Sequence, residues 1–172
     1  GALRVVGDLD SAIESYTSAI YLNPDYAGYH FNLGAALKDK GDLDDAIECY
    51  AHALQLRPDF AEAHRNLGHA LKEKGDYAAA IGRYITSLEI KPDDVEARDN
   101  LGGAYFDSGC YEEALESYDR ADTPKARADS LACLYALGRY DEFERRVQDN
   151  LDLDKTNLRV ASVCSFASDQ IG

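Results

Sequence analysis

Apolar and small residues recur along the chain at the spacing of one face of an α-helix. Between Pro24 and Gly41, four of them follow the i, i+3, i+4, i+7 pattern of an amphipathic helix: His30, Leu33, Gly34 and Leu37. A second stripe of the same period follows Gly41 and ends before Pro58: Leu43, Ala46, Ile47, Tyr50, Ala53 and Leu54. The pattern therefore predicts a pair of helices, which we call the first helix and the second helix of the pair.

The boundaries of these helices carry residues that end and begin helices. Gly41 suits the left-handed turn that closes a helix, and Asp42 is placed to cap the helix that follows. Pro58 prevents the second helix from continuing. Asp59 and Glu62 have the spacing of a capping box at the start of the next helix.

The two-helix pattern repeats every 34 residues, as its glycines and prolines show: Gly7, Gly41, Gly75 and Gly109, and Pro24, Pro58 and Pro92. A single helix pair cannot bury both of its apolar faces, so pairs that recur at a fixed period must stack. The sequence predicts an all-α fold, an α-solenoid of stacked antiparallel helix pairs.

Small and large residues alternate within the stripes. We expect the small ones to let the helices of a pair approach closely: Gly34, Gly68, Gly102, Ala46, Ala80 and Ala114. We expect the tyrosines to fill the wider gap to the neighbouring pair: Tyr50, Tyr84 and Tyr118.

These residues resemble the signature of the tetratricopeptide repeat (TPR) family, most clearly in one repeat: Leu67, Gly68, Leu71, Gly75, Tyr77, Ala80, Tyr84 and Pro92. His30, His64 and Arg98 stand where the family usually has a large aromatic residue. The resemblance implies a right-handed superhelix in which the first helices line the concave face.

We expect a TPR array over residues 1–157 and a capping helix over residues 158–172. The array divides into a truncated first unit and four further units, of which the last is degenerate: 1–26, 27–60, 61–94, 95–124 and 125–157. The repeat shortens by about four residues near Thr123 and Pro124, and Phe143 replaces the alanine of earlier pairs. Alternatively, residues 158–172 begin another domain. The missing initial methionine suggests a piece of a longer protein.

Composition and charge argue against some classes of binding partner. The 172 residues include 18 Lys and Arg against 32 Asp and Glu, a formal charge of −14 that repels phosphate backbones and anionic lipid heads. We therefore expect neither nucleic acid nor a membrane as partner, and no apolar run has the length of about 20 residues that spans a bilayer. The four cysteines lack zinc-ligand spacing and indicate reduced thiols in a cytoplasmic or nuclear setting.

Motifs for catalysis and cofactors are missing from the sequence. There is no phosphate-binding glycine loop, nucleophile elbow or HExxH motif, and the four histidines lie inside the repeat pattern. We expect no enzyme, no catalytic residue, no metal and no cofactor.

The candidate binding surface consists of first-helix residues that packing does not use. Asn32, Asn66 and Asn100 each precede the repeated leucine and resemble the asparagines in the TPR superhelix of O-linked N-acetylglucosamine transferases. That resemblance implies a ladder that holds an extended peptide by its backbone. Six further candidates lie on the same helices: Arg65, His69, Asp99, Phe106, Lys38 and Lys72. The acidic excess of this face favours a basic or neutral peptide over the acidic tails of chaperones.

The leading hypothesis is a protein-interaction module that binds an extended peptide or partner segment in the concave groove. One alternative is the substrate-recruiting arm of a larger enzyme, such as a glycosyltransferase. Another is a self-assembly element that associates through its ends. Many functions share this fold, so the sequence does not identify the partner.

Overall fold

The structure, a computed structural model, describes the backbone of residues 2–153 and the side chains of residues 8–149. Over the described backbone the chain is helical, without strands: α1 (Ala2–Leu22), α2 (Ala27–Lys40), α3 (Leu43–Leu56), α4 (Ala61–Glu73), α5 (Tyr77–Ile90), α6 (Val95–Asp107), α7 (Tyr111–Ala121), α8 (Pro124–Ala136) and α9 (Tyr140–Leu153). The predicted fold class, an all-α solenoid of helix pairs, is confirmed. The predicted capping helix at 158–172 lies outside the described residues.

The chain divides into two compact units, Gly1–Asp94 and Val95–Gly172. In the first unit α2 packs on α3 and α4 packs on α5, while α1 contacts α2, α3 contacts α4, and α2 reaches α4 directly. In the second unit α6 packs on α7, α7 on α8 and α8 on α9. Among the described helices, none combines the length and apolar character needed to cross a membrane.

Of the four glycines that recur every 34 residues, all but Gly7 form the predicted left-handed turn. Gly41 has a φ of 97° and Gly75 a φ of 84°, the left-handed conformation that other residues rarely adopt. The N–H of Gly41 donates to the carbonyl of Lys38 at 2.9 Å, which closes α2. Gly7, in contrast, lies within the continuous helix α1. Glycine permits a left-handed turn but does not impose one, since helical φ values are equally open to it.

Two of the predicted helix caps are wrong. The Asp42 side chain makes no capping hydrogen bond, and its carboxylate lies 3.9 Å from Lys40 Nζ instead. The capping box of Asp59 and Glu62 does not form, because α4 begins one residue later and has Phe60 at its N-cap position. Asp76, the counterpart of Asp42 one repeat on, does accept a bond of 3.1 Å from the N–H of Ala79.

The repeated glycines on the first helices accommodate tyrosine rings from the second helix of the same pair. A Cβ atom added to Gly34, Gly68 or Gly102 would lie 2.8–2.9 Å from the ring of Tyr50, Tyr84 or Tyr118, closer than real Cβ contacts. The tyrosines therefore also pack within their own pair, in addition to the predicted gap between pairs. Tyr50 does both, since its core cluster also contains Leu67 of the next pair.

The end of the array is shortened as its sequence indicates. Helix α7 has 11 residues where α3 and α5 have 14. Asp122 follows it with a φ of 48°, and the Thr123 side chain caps α8 by accepting a bond of 3.0 Å from the N–H of Ala126. Pro124 is the first residue of α8, where its missing N–H is not needed.

Candidate functional site

The predicted asparagines lie at equivalent places on first helices. Asn32 on α2 and Asn66 on α4 are both half-buried, and these two helices contact each other within the first unit. Asn100 holds the same place on α6 of the second unit and is also half-buried. The first unit therefore brings two of the three predicted ladder residues onto neighbouring helices.

The asparagine amides differ in their surroundings. In the part of the chain that the structure describes, no side-chain hydrogen bond involves Asn32 or Asn100. The Asn66 amide lies against the buried hydroxyl of Tyr50, although the two do not complete a hydrogen bond of good geometry. Burial raises the pKa of Tyr50, and Asn66 partly opposes that rise. Asn66 thus also contributes to the contact between helix pairs.

Two of the predicted binding residues, Arg65 and Asp99, form ion pairs. Arg65 Nη1 donates to both carboxylate oxygens of Asp94, at 3.2 and 3.1 Å. Lys125 Nζ lies 2.6 Å from Asp99 Oδ2 and 3.1 Å from Asp129. Partial burial alone would lower the pKa of Lys125, but its bonds to Asp99 and Asp129 outweigh that effect and raise it. A ligand that uses Arg65 or Asp99 must compete with these bonds.

The remaining predicted residues are half-buried on their helices. Lys38 Nζ lies 3.3 Å from Asp39, and His69 Nδ1 lies 3.1 Å from Glu73 one turn along α4. The Phe106 ring packs edge-on against Tyr111 with 5.3 Å between ring centroids. Lys72 occupies on α4 the place that Lys38 has on α2.

Sequence reasoning missed an aromatic cluster beside this surface. The Phe31 and Phe60 rings lie 4.8 Å apart, Tyr50 is 5.9 Å from Phe31, and the Arg57 guanidinium lies 3.3 Å from the centre of the Phe60 ring. The available signal was Arg57 and Phe60 on either side of Pro58. The capping-box spacing of Asp59 and Glu62 masks this signal, because it predicts that the helix is capped at Asp59 and begins with Phe60, whereas Phe60 is the N-cap residue.

The buried histidines have packing roles, as predicted for His30 and His64. Their Nε2 atoms lie 2.7 and 3.0 Å from the carbonyl oxygens of Pro24 and Pro58, so each ring ties its helix to the preceding turn. Because a carbonyl oxygen only accepts, Nε2 carries the proton in both rings. His52 stacks on His30 with 4.3 Å between ring centroids.

Two of the cysteine thiols are buried or half-buried, and metal ligands do not cluster in the described part of the chain. No set of three His, Cys, Asp or Glu side chains there could hold a metal ion. Burial raises the pKa of the Cys49 thiol to about 11 and that of Cys133 to about 12, which keeps both protonated at neutral pH.

Comparison with known proteins finds the repeat and the fold. A family model of the TPR repeat matches residues 2–41, 36–75 and 68–109. A crystal structure of MamA is 25% identical and superposes with a TM-score of 0.81 over 87% of this chain and 90% of that chain. A second crystal structure of the MamA protein is also 25% identical, with a TM-score of 0.80 over 87% and 84% of the two chains. MamA 41-end from Desulfovibrio magneticus RS-1 is 19% identical, with a TM-score of 0.81 over 88% of each chain. No curated protein matches the sequence.

Proposed function

Because the chain belongs to the TPR repeat family, we propose that it is a protein-interaction module that binds an extended segment of a partner along its first helices. One observation carries the proposal. In the first unit the contacting helices α2 and α4 present the same half-buried polar residues at equivalent places, and we call this set the polar row: Asn32, Asn66, Lys38 and Lys72. A ligand with regularly repeated polar groups could contact each residue of this row in turn. An extended peptide backbone has such groups, since its N–H and C=O groups recur along the chain.

The asparagines supply the backbone contacts in this proposal. A side-chain amide offers both a donor and an acceptor, which match the C=O and N–H groups of a peptide. Each amide contact contributes on the order of 0.5–1.5 kcal/mol, so several are needed for useful affinity. Asn100 offers the same amide on the second unit.

Charge favours a basic or neutral peptide. The formal charge of the chain is −14, and Glu62 on α4 makes no ion pair within the described residues. Arg65, already bonded to Asp94, is poorly placed to attract an acidic peptide. His69, Phe106 and Asp99 would then set the preference among peptide side chains.

The test compares wild-type protein with the triple variant Asn32→Ala/Asn66→Ala/Asn100→Ala. Labelled peptides of equal length with basic, neutral or acidic composition serve as probes in fluorescence polarisation. We expect the basic and neutral peptides to bind best, single substitutions to weaken binding by about 2- to 12-fold, and the triple variant to lose measurable affinity.

Asn23→Ala provides the matched control, because Asn23 is exposed and lies between α1 and α2 rather than on a first helix. Circular dichroism establishes that each variant is folded. Equal binding by the wild type and the folded triple variant would contradict the ladder and move the search to other surfaces.

A further inference from the structure

Two grooves of the first unit repeat with the period of the sequence. The first groove lies between α1, α2 and α3 and has a volume of about 400 Å³, and the second groove lies between α3, α4 and α5 and has a volume of about 280 Å³. Four positions, 34 residues apart, line both: Thr17 and Ala51, His30 and His64, Leu33 and Leu67, and Cys49 and Arg83. The grooves therefore have equivalent places in successive helix pairs.

The floor of the first groove is apolar. Leu37 and the His30 ring are buried there, and Ile13 and Leu33 are half-buried. Two polar groups beside them bond to the backbone, since Thr17 Oγ1 donates to a carbonyl of α1 at 2.8 Å and His30 Nε2 lies 2.7 Å from a carbonyl oxygen of the turn before α2. An aliphatic chain suits such a floor, because it needs no hydrogen-bond partner.

The rim of the first groove carries two exposed carboxylates on α3, those of Asp45 and Glu48, which we call the rim carboxylates. No ion pair within residues 8–149 involves either one, whereas the neighbouring Asp44 pairs with Lys74. The start of α3 explains Asp44 and Asp45, since negative charge stabilises the first turn of a helix. It does not explain Glu48, which follows these acids at spacings where like charges on a helix repel. A cation supplied from outside would relieve this repulsion.

The two grooves differ in charge. In the first, burial is the main cause of the raised pKa of the Cys49 thiol, and the rim carboxylates raise it further, so their field reaches the lining of the groove. In the second, Ala79 and Gly82 occupy the places of the rim carboxylates, and Arg83 occupies that of Cys49. The first groove is therefore suited to a cation and the second is not.

We propose that the first groove binds an arginine or lysine side chain of a partner protein. The aliphatic part of that side chain covers the apolar floor, and its charged end pairs with the rim carboxylates. An acidic side chain is repelled by the same carboxylates, and an apolar one leaves them unpaired. Among the described residues, no member of the polar row lines this groove, so the site is separate from the proposed asparagine ladder.

The test measures the binding of three tripeptides, acetylated and amidated at their ends, that carry arginine, norleucine or glutamate between two glycines. Each is titrated into the full isotope-labelled chain while NMR records the amide chemical shifts. We expect the arginine peptide to shift the amides around the first groove, those of Ile13, Leu33 and Glu48 among them. The norleucine peptide, which has an aliphatic chain without the charge, should bind about fivefold more weakly, and the glutamate peptide should not bind.

The variant Asp45→Asn/Glu48→Gln removes both charges and keeps the shapes of the side chains. Because both positions are exposed, this variant should fold, which circular dichroism checks, and it should bind the arginine peptide about fivefold more weakly. The triple variant Asn32→Ala/Asn66→Ala/Asn100→Ala is the matched control and should bind that peptide like the wild type. This control separates failure of the groove from failure of the ladder.

The reciprocal change Ala79→Asp/Gly82→Glu/Arg83→Ala gives the second groove a carboxylate rim and should add shifts around Leu67. A folded reciprocal variant without new shifts would overturn the proposal. Equal affinity of the arginine and norleucine peptides, or shifts that Asp45→Asn/Glu48→Gln leaves unchanged, would do so as well. Shifts from the arginine peptide that spread over the whole acidic surface would also overturn it, because they would report the net charge of the chain alone.

Discussion

The regular helix pairs and the last pair fill the same interior with different residues. In α2/α3 and α4/α5 a glycine receives a tyrosine ring, and an alanine lies one turn before that tyrosine. In α8/α9 the corresponding three places hold Ala132, Val147 and Phe143, and Phe143 is only 5% exposed. In the last pair the large ring therefore lies one helical turn earlier, at the place of the regular alanine. Smaller residues occupy the places of the regular glycine and tyrosine. These pairs therefore preserve packed volume rather than residue identity.

The two regions also differ in how a pair is held to its neighbours. In the regular pairs, imidazole rings bonded to proline carbonyls act beside ion pairs such as that of Lys40 with Asp10 on α1. The last pair instead has Arg146, whose Nη2 atom lies 2.9 Å from Asp119 on α7 and 2.9 Å from Glu142 on α9. The Arg146 contacts should therefore weaken as the salt concentration rises.

The largest effect is expected from removing the ring that distinguishes the last pair. Phe143→Ala restores the alanine of the regular pairs without restoring their tyrosine, and the resulting cavity should lower the free energy of unfolding by about 3–5 kcal/mol. Urea denaturation followed by circular dichroism measures the loss. Tyr140→Ala, at a position 48% exposed in the same helix, should cost much less. Similar losses for both variants would contradict the proposed volume exchange.

The opposite change should also destabilise a regular pair. Ala80 is completely buried, and Ala80→Phe places a second ring where Tyr84 already fills the space. Overpacking should cost about 1–3 kcal/mol or more, visible as a lower thermal midpoint in calorimetry. An unchanged midpoint would show that the helices of this pair are not in close contact.

Two glycines of one regular pair should respond with opposite signs. Gly68→Ala forces a Cβ atom to within 2.9 Å of the Tyr84 ring and should cost about 1 kcal/mol or more. Gly82→Ala, in a helix with nothing within 4 Å of the new atom, should stabilise the protein by about 0.5–1 kcal/mol. Urea midpoints for both variants provide the comparison. Stabilisation by both would mean that the glycine and tyrosine do not fit together as described.

The smallest effect concerns pH and the last pair. Partial burial alone would raise the pKa of Glu142, but hydrogen bonds from Arg139 and Arg146 outweigh it and hold the pKa below its usual range. The resulting stabilisation is fully present above the ordinary carboxyl pKa of about 4.3 and is lost as pH falls through the lower folded pKa. Thermal midpoints of the wild type and Glu142→Gln should thus differ at neutral pH and converge in acid. A constant difference across that range would contradict the role of the carboxylate charge.

The sequence predicts local features well because they depend on one residue type. Glycine is nearly alone in accepting the left-handed conformation, so the turns at Gly41 and Gly75 follow from their positions. The helix caps, in contrast, are not predicted by residue type alone. Asp42 and Asp76 each follow a turn glycine, but only Asp76 caps the helix that follows. Lys40 lies 3.9 Å from Asp42, whereas Lys74, at the equivalent place beside Asp76, pairs with Asp44 on α3. Such competition depends on residues distant in sequence.

The candidate surface also combines features that the sequence predicts with features that it does not. Helical periodicity suffices to place the asparagines on first helices. Whether a side chain is available to a ligand depends on partners far along the chain. Tyr50 next to Asn66 and Asp94 bonded to Arg65 are examples, and neither has a local signal.

The turn between α7 and α8 bears on how such a chain can change during evolution. The four missing residues come from the last turn of α7 and the connection after it. There Asp122 ends α7, Thr123 caps the next helix and Pro124 opens it, so the deletion leaves both helices with proper ends. A length change within a helix would instead rotate every later side chain to a different face. Arrays made by duplicating one unit can therefore vary in period, without losing their interior, wherever a new junction brings its own cap.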